Sequence, residues 1–436
     1  MRIFSDEMLA RAVRWPGFRR AAARRAAARQ LHEVALASAP DDAVVLALLG
    51  MHAAARDAAG GGRALGRARM LAEAAFGAAP DPEALAVLDA RWRRRIAGAI
   101  APHDALRAES ILPPEDSLAR AACRYAAGED VGMLIAGSRD REAHAIGAGI
   151  AIDDGNFEGA RGCINALFAG DALSPPLDDR GDGFDIASFG ERRGERVPAG
   201  GEGPLVSMIV PVRDGAETIA IAVRSIARQS WRAIEIVIVD DGSTDASGAI
   251  AAQLAQEDPR IRVIANTGPA GVAGARNTGV AAARGRWIGF LDADDWAHPE
   301  RIARQAAMLA TGAAASVSHH IRIDARGRPV APRVFPIVRL CPISMLVDAD
   351  ALGRAGPFEI ARTGSDAEML ARLDVVIGRR RIRRDRALLT VASWRPASLS
   401  SDAAHGMFAA DRFAYREDWM RRHAARAGLP SGSGAP

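Results

Sequence analysis

The sequence predicts an α/β domain built on a mostly parallel, Rossmann-like sheet, preceded by an all-α domain. Three observations lead there. Short apolar runs alternate with helical patterns after residue 204, aspartate-bearing polar turns follow several of those runs, and the first 185 residues are rich in alanine and arginine at helical spacing. A chain of 436 residues has room for two or three domains. Its 49% hydrophobic and 25% charged residues are ordinary for a globular protein and exclude a mostly disordered or collagen-like chain. The 57 basic residues are all arginine, and against 53 acidic ones they leave a net charge of +4, too mild for a dedicated nucleic-acid binder.

Residues 1–185 read as helices, with few β-branched runs. The stretch Val34–Asp41 is echoed by Ala74–Asp81, with Pro40 and Pro80 offset by 40 residues. A helix is expected to end before each proline, and the aspartate after it to cap the next, as in stacked helical hairpins of the tetratricopeptide kind. Such an array is a surface that could recruit a protein partner. The arginine clusters Arg19–Arg20, Arg24–Arg25 and Arg93–Arg95 have acidic neighbours and read as solvated helix faces. Residues 186–204, within a Gly-, Glu- and Arg-rich stretch, read as a linker; residues 205–400 form the α/β domain and 401–436 a helical tail. Cys123, Cys163 and Cys341 are scattered and odd in number, the pattern of buried thiols in a reducing compartment. Neither a secretory h-region nor a membrane-spanning run is found, so the expectation is a cytoplasmic protein, at most peripheral at the membrane's inner face.

Within the α/β domain the expected order is a strand over Leu205–Val210, a helix over Thr218–Gln229, a strand over Ile234–Val239 and a helix over Ser247–Gln256. A strand at Ile261–Ile264, a helix over Gly274–Ala283 and a strand at Trp287–Leu291 follow. The stretch Gly268–Gly274 is spaced GxxGxxG, which is not the dinucleotide fingerprint, and reads as a flexible approach to the third helix. In open sheets of this kind ligands bind beyond the carboxyl ends of the strands. There lie Pro211, Arg213 and Asp214 after the first strand, Asp240 and Asp241 after the second, and Asp292, Asp294 and Asp295 after the fourth. Unpaired carboxylates converging on one edge repel one another unless a cation neutralises them, and hard oxygen ligands suit Mg²⁺ or Mn²⁺ shared with phosphate oxygens.

The texts Val206–Gly215, Ser225–Trp231, Ile238–Asp245, Gly274–Gly279 and Gly289–Asp295, taken in order, resemble the family 2 inverting glycosyltransferases of the GT-A fold. The resemblance covers roughly residues 204–400. It implies that Asp241, with Asp240 beside it, reads the base of a nucleotide-sugar. It makes Asp292 and Asp294 the DxD pair, with Asp294 the metal ligand and Asp292 serving the ribose or the metal, while Asp295 supports them and Arg276 faces the nucleotide. Where the family usually has an aromatic residue and an asparagine, this chain has Arg213 and Asp214; a guanidinium can stack on a base.

Inverting displacement needs a base for the acceptor hydroxyl. The segment Gly356–Glu359 followed by Thr363–Leu373 resembles the family's acceptor side, which makes Asp366 the implied base and Glu368 a supporting acid; both also suit the first turn of a helix. His405 sits where some relatives place a late metal ligand, yet a surface role is the expectation. His319 and His320 on one strand should face opposite ways, and the arginine run Arg379–Arg386 reads as a solvated edge. Together these features imply a metal-dependent transfer of sugar from a nucleotide-diphosphate donor to a saccharide or lipid-linked acceptor. The rivals are a sugar nucleotidyltransferase, which lacks its glycine-rich first loop here, and an inactive transferase domain serving a helical interaction protein.

Overall fold

The computed structural model describes residues 42–49, 51–58, 63–177, 185–190, 203–395 and 409–426, with a few positions between 23 and 39. His405 and most of the expected linker lie outside the described residues. Contacts divide the chain into two units: one made of residues 1–131, 332–335 and 402–436, the other of 132–331 and 336–401.

The first unit is helical: α1 (Ala43–Leu49), α2 (His52–Asp57), α3 (Arg63–Ala75), α4 (Pro82–Ala86), α5 (Ala90–Ile100), α6 (Ala105–Ile111) and α7 (Ser117–Ala126). Aspartates start several of them by accepting orphan backbone N–H groups: Asp81 from Glu83 at 3.2 Å, Asp89 from Trp92 at 3.0 Å and Asp104 from Arg107 at 2.9 Å. In the earlier copy of the 40-residue echo, Asp42 caps α1 through the N–H groups of Val44 and Val45, whereas Asp41 is outside the described residues. From the C-terminal part of the chain, a helix over Ala410–Arg426 joins this unit, its Phe413 ring packing edge-on against Phe76 and His52.

The second unit begins with α8 (Gly132–Ile135), α9 (Arg141–Asp153) and α10 (Phe157–Ala169) and continues into a ten-stranded sheet. The strands are β1 (Val206–Val212), β2 (Ile234–Asp240), β3 (Ile261–Ala265), β4 (Trp287–Phe290), β5 (Trp296–Ala297), β6 (Ala315–Ile323), β7 (Pro329–Val330), β8 (Arg339–Leu340), β9 (Leu346–Asp348) and β10 (Ile382–Ser393). Between them run α11 (Ile219–Ala227), α12 (Ser247–Glu257), α13 (Val272–Ala282), α14 (Arg301–Ala310), α15 (Ala349–Ala355) and α16 (Ser365–Leu373). Each strand and helix expected between residues 205 and 291 is present, with ends displaced by one or two residues.

The main path through the sheet is β3-β2-β1-β4-β9-β6-β10-β5, with β7 and β8 on β6. Pairings β3-β2, β2-β1, β1-β4 and β6-β10 are parallel, while β9 runs antiparallel to both β4 and β6. Alternate residues of β1 feed two apolar layers. Ile209 faces Ala273 and Ala275 of α13 and Met369 of α16, while Met208 and Val210 face Ile219 and Val223 of α11. Gly279 allows the close approach of α13 to the sheet, since a Cβ there would sit 2.4 Å from Ile209. α9 belongs to this unit by a buried carboxylate: Glu142 accepts the backbone N–H groups of Ile337 at 2.6 Å and Val338 at 3.2 Å.

Candidate active site

Chain order runs outward from β1 to β2 to β3 on one side and to β4 on the other, so the strand order reverses between β1 and β4. At such a switch point the connections leaving the carboxyl ends diverge and open a crevice. β1 ends in Pro211 and Val212 and is followed by Arg213 and Asp214, and Asp292 lies two residues past the end of β4. Pro211 is tolerated because β1 pairs with β4 only from Val206 to Ile209, so its missing N–H leaves no gap in that ladder.

Two aspartate clusters flank the crevice. On the β1–β2 side, Asp241 is buried and both of its carboxylate oxygens are held: Oδ1 accepts Asn266 Nδ2 at 2.6 Å and Oδ2 accepts the Gly271 N–H at 2.7 Å. Asn266 is itself fixed, its Oδ1 accepting the Gly268 N–H and the Thr278 hydroxyl. The expected flexible approach to α13 is therefore a hydrogen-bonded loop, and it packs so closely on the first turn of α13 that Gly274 is required there, since a Cβ would meet the Pro269 carbonyl at 1.7 Å. Asp240 accepts the Ser243 N–H at 2.9 Å. Arg213 is exposed, 4.0 Å from Asp241. Asp214 turns toward the Asp-Gly-Ser-Thr-Asp turn, where its Oδ1 accepts the Thr244 N–H at 2.7 Å and also serves the Thr244 hydroxyl and the Asp245 N–H. These bonds, the Thr244 N–H first, hold the Asp214 carboxyl below the usual carboxylate range.

On the β4 side, Asp292, Asp294 and Asp295 occupy one turn. Arg276 of α13, only 5% exposed, donates to Asp292 Oδ1 at 2.6 Å and lies over the Phe358 ring at 5.7 Å. Arg395, just past β10, donates to Asp294 Oδ2 at 2.8 Å. Ser393 ties β10 to the same turn, its hydroxyl donating to the Asp294 carbonyl at 2.6 Å and its N–H to Asp295 Oδ1 at 3.3 Å. Asp295 is buried, and burial first, then the charges of Asp294 and Asp292, push its carboxyl well above the usual range. Asp294 is raised by burial first and then by the charge of Asp292, with Arg395 pulling the other way. Beneath the turn, buried Arg301 donates to the Phe290 carbonyl at 2.8 Å, and burial lowers its pKa to about 10.

These residues fit a divalent cation in one sense only. Among the described residues there is no group of three or more His, Cys, Asp or Glu side chains able to hold a metal, so a cage of protein ligands is not offered. Carboxyls raised by burial and then by one another's charge, in a turn at the edge of a crevice, do suit a cation that takes most of its remaining ligands from water and phosphate. The sequence expectation of unpaired carboxylates needs correction: Asp292 and Asp294 already have guanidinium partners.

The acceptor-side residues lie on α16, which follows Gly364 in the left-handed conformation at φ +85°. Asp366 is half-buried in the first turn, with no side-chain hydrogen bond to another described residue. Glu368 turns the other way. It is fully buried and pairs at 2.8 Å with Arg372, which donates onward to the carbonyls of Ala355 and Pro357. The loop before α16 is joined to α13 by Asn277, whose side chain donates to the Phe358 carbonyl at 2.9 Å and accepts the Phe358 N–H at 2.7 Å.

Sequence reasoning did not single out Asn266, Arg301 or Arg395 for the site. The two histidines of β6 part as expected: His320 is buried, and the His319 ring contacts the Asp385 carbonyl at 2.9 Å. In the arginine run, Arg384 pairs with Asp374, and Asp385 with Arg304.

Residues 207–348 match the family described as Glycosyl transferase family 2. The chain is 38% identical over 150 residues to the succinoglycan biosynthesis protein ExoO of Rhizobium meliloti (strain 1021), an alignment covering 34% of this chain and 42% of that protein. It is 48% identical over 93 residues to the uncharacterized glycosyltransferase EpsJ of Bacillus subtilis (strain 168), covering 21% and 27% respectively. The chain thus spans less than half the length of these curated relatives. Among solved structures, S. aureus TarS 1–349 in complex with UDP aligns at 18% identity over 53% of this chain and 67% of that one, with a TM-score of 0.38, a likeness that carries no argument here. No helix among the described residues is long and apolar enough to cross a membrane. What the chain shares with glycosyl transferase family 2 is thus one segment, residues 207–348, about a third of its length.

Proposed function

We propose that the second unit transfers a sugar, with inversion, from a nucleotide-diphosphate sugar to a saccharide or lipid-linked acceptor in the synthesis of a surface polysaccharide. The observation that carries the reading is the meeting, at one switch point, of a rigidly held carboxylate (Asp241) and a charge-rich turn (Asp292–Asp295), with the helix bearing Asp366 joined to α13 beside them. The family match and the likeness to ExoO, a protein named for succinoglycan biosynthesis, support it.

In this reading Asp241, already fixed by Asn266 and Gly271, accepts N–H donors of the base, and Arg213 lies along it. Asp240 lies beside this base site, and Pro211 and Asp214 shape its floor. Arg276 sets the angle of Asp292 toward the ribose or the metal. Mn²⁺ or Mg²⁺, held by Asp294 with Asp292 and supported by Asp295, would offset charge on the departing diphosphate. The acceptor oxygen attacks the anomeric carbon as the bond to the diphosphate breaks, and the hydroxyl proton passes to the Asp366 carboxylate. Glu368 supports α16 from below through Arg372. Partner recruitment belongs in this proposal to the helical first unit, and peripheral contact at the inner face of a membrane would serve a lipid-linked acceptor.

The test is sugar release and transfer by the purified chain with a panel of nucleotide-diphosphate sugars and Mn²⁺. Turnover that Asp294→Asn and Asp366→Asn each suppress supports the reading. Binding of every donor without turnover, or turnover indifferent to both substitutions, defeats it.

A further inference from the structure

We infer that Arg395 is a built-in counter-ion for Asp294 that a divalent cation must displace, so that the empty site resists metal on its own and accepts it together with phosphate. This rests on the metal role proposed for Asp294.

Two arginines hold the acidic turn, and they are held differently. Arg276 reaches Asp292 from a buried position, its guanidinium against the Phe358 ring. Arg395 reaches Asp294 Oδ2 at 2.8 Å from a side chain that is 40% exposed. The backbone leading to Arg395 is nevertheless fixed: the Ser393 hydroxyl donates to the Asp294 carbonyl, and the Trp394 N–H donates to the Ile323 carbonyl at 2.7 Å. The more exposed of the two guanidinium partners is thus carried on backbone fixed beside the turn. A tethered competitor of this kind acts at high effective concentration.

A cation binding Asp294 needs lone pairs that the guanidinium uses, so metal uptake must include the loss of the ion pair. Phosphates arriving with the metal give the released guanidinium a new anionic partner. Metal and phosphate binding are then positively coupled, and the coupling is reciprocal. Arg276, 5% exposed and set against the Phe358 ring, stays with Asp292.

The experiment is calorimetric titration of the full chain with Mn²⁺ alone, then with Mn²⁺ in the presence of inorganic pyrophosphate. It compares wild type, Arg395→Gln, Arg395→Lys, Asp294→Asn and the Arg395→Gln/Asp294→Asn double variant. Arg395→Gln is expected to bind Mn²⁺ alone about five- to tenfold more tightly than wild type, a gain of roughly 1–1.4 kcal/mol. Pyrophosphate should then enhance Mn²⁺ binding less in Arg395→Gln than in wild type. Arg395→Lys keeps the charge and should behave like wild type, which guards against a folding defect in the glutamine variant. If Arg395→Gln binds Mn²⁺ no more tightly while Asp294→Asn abolishes binding, the exchange is wrong and the metal role stands. If Asp294→Asn leaves Mn²⁺ binding unchanged in both backgrounds, the metal role fails and the exchange with it.

Discussion

The two aspartate clusters share one sheet edge but are neutralised by opposite means. Asp241 and Asp214 are held by neutral donors, an asparagine side chain, a threonine hydroxyl and backbone N–H groups. Asp292 and Asp294 are held by guanidinium groups, and Asp295 is buried beside them. Neutral donors fix a carboxylate's direction and leave its charge available to a ligand. Guanidinium partners cancel the charge and must be exchanged when another cation arrives. In the proposed reaction the first cluster reads a shape and the second trades one cation for another.

The contrast can be broken most decisively on the charged side. Asp294→Asn should lower sugar transfer by about 10²–10³-fold, as loss of a group stabilising the leaving charge does, measured as kcat with saturating donor and Mn²⁺. Asp366→Asn should lower kcat by about 10²–10⁴-fold, the range for a positioned general base, while calorimetry finds donor affinity unchanged; a matching loss of donor affinity would move Asp366 into the donor site.

On the neutral side, Asn266→Ala removes the donor to Asp241 and frees the loop up to Gly271. Leaving buried groups unsatisfied costs about 1–3 kcal/mol, so nucleotide affinity should fall about tenfold and the melting temperature should drop as well. An unchanged affinity would show that Asp241 is held by Gly271 alone.

The smallest effect sharpens the comparison through pH. A carboxyl whose folded pKa is raised opposes folding when ionised, and the folded state gains stability as pH falls through that raised value toward the unfolded value of about 3.9. Asp295→Asn should therefore raise the melting temperature at pH 7, with the advantage shrinking as the pH approaches 4. Asp214 has the opposite sign: its lowered pKa contributes stability above the unfolded value, lost as pH falls through the folded one. Melting curves of Asp295→Asn and Asp214→Asn against pH should diverge.

The elements from β1 to β4 were legible because strands buried on both faces give continuous apolar runs, and the turns that follow them are dense in Asp, Gly and Ser. The aspartates at the edge were legible for the same reason. Their partners were not. Arg395 lies 101 residues from Asp294, and what brings it there is the antiparallel pairing of β10 with β5, the two-residue strand that follows the acidic turn. Asn266 sits in a loop with no periodicity to mark it. The grouping of α9 with the sheet was hidden as well, because its alanine-rich pattern matches the helices before it and its attachment runs through Glu142 to backbone 195 residues away. The cap at Asp42 rather than its neighbour is the one-residue ambiguity that two adjacent aspartates create.

The exchange between Asn277 and Phe358 works like a single rung of a β-ladder, with a side-chain amide standing in for a peptide. Because the rung joins the helix that presents Arg276 to the loop that launches α16, a tilt of either piece drags the other. In the proposed reaction, donor recognition and the aim of the proton acceptor would then be set by one mechanical linkage, and a chain cut at that rung would bind its donor yet present the acceptor to a base pointing elsewhere.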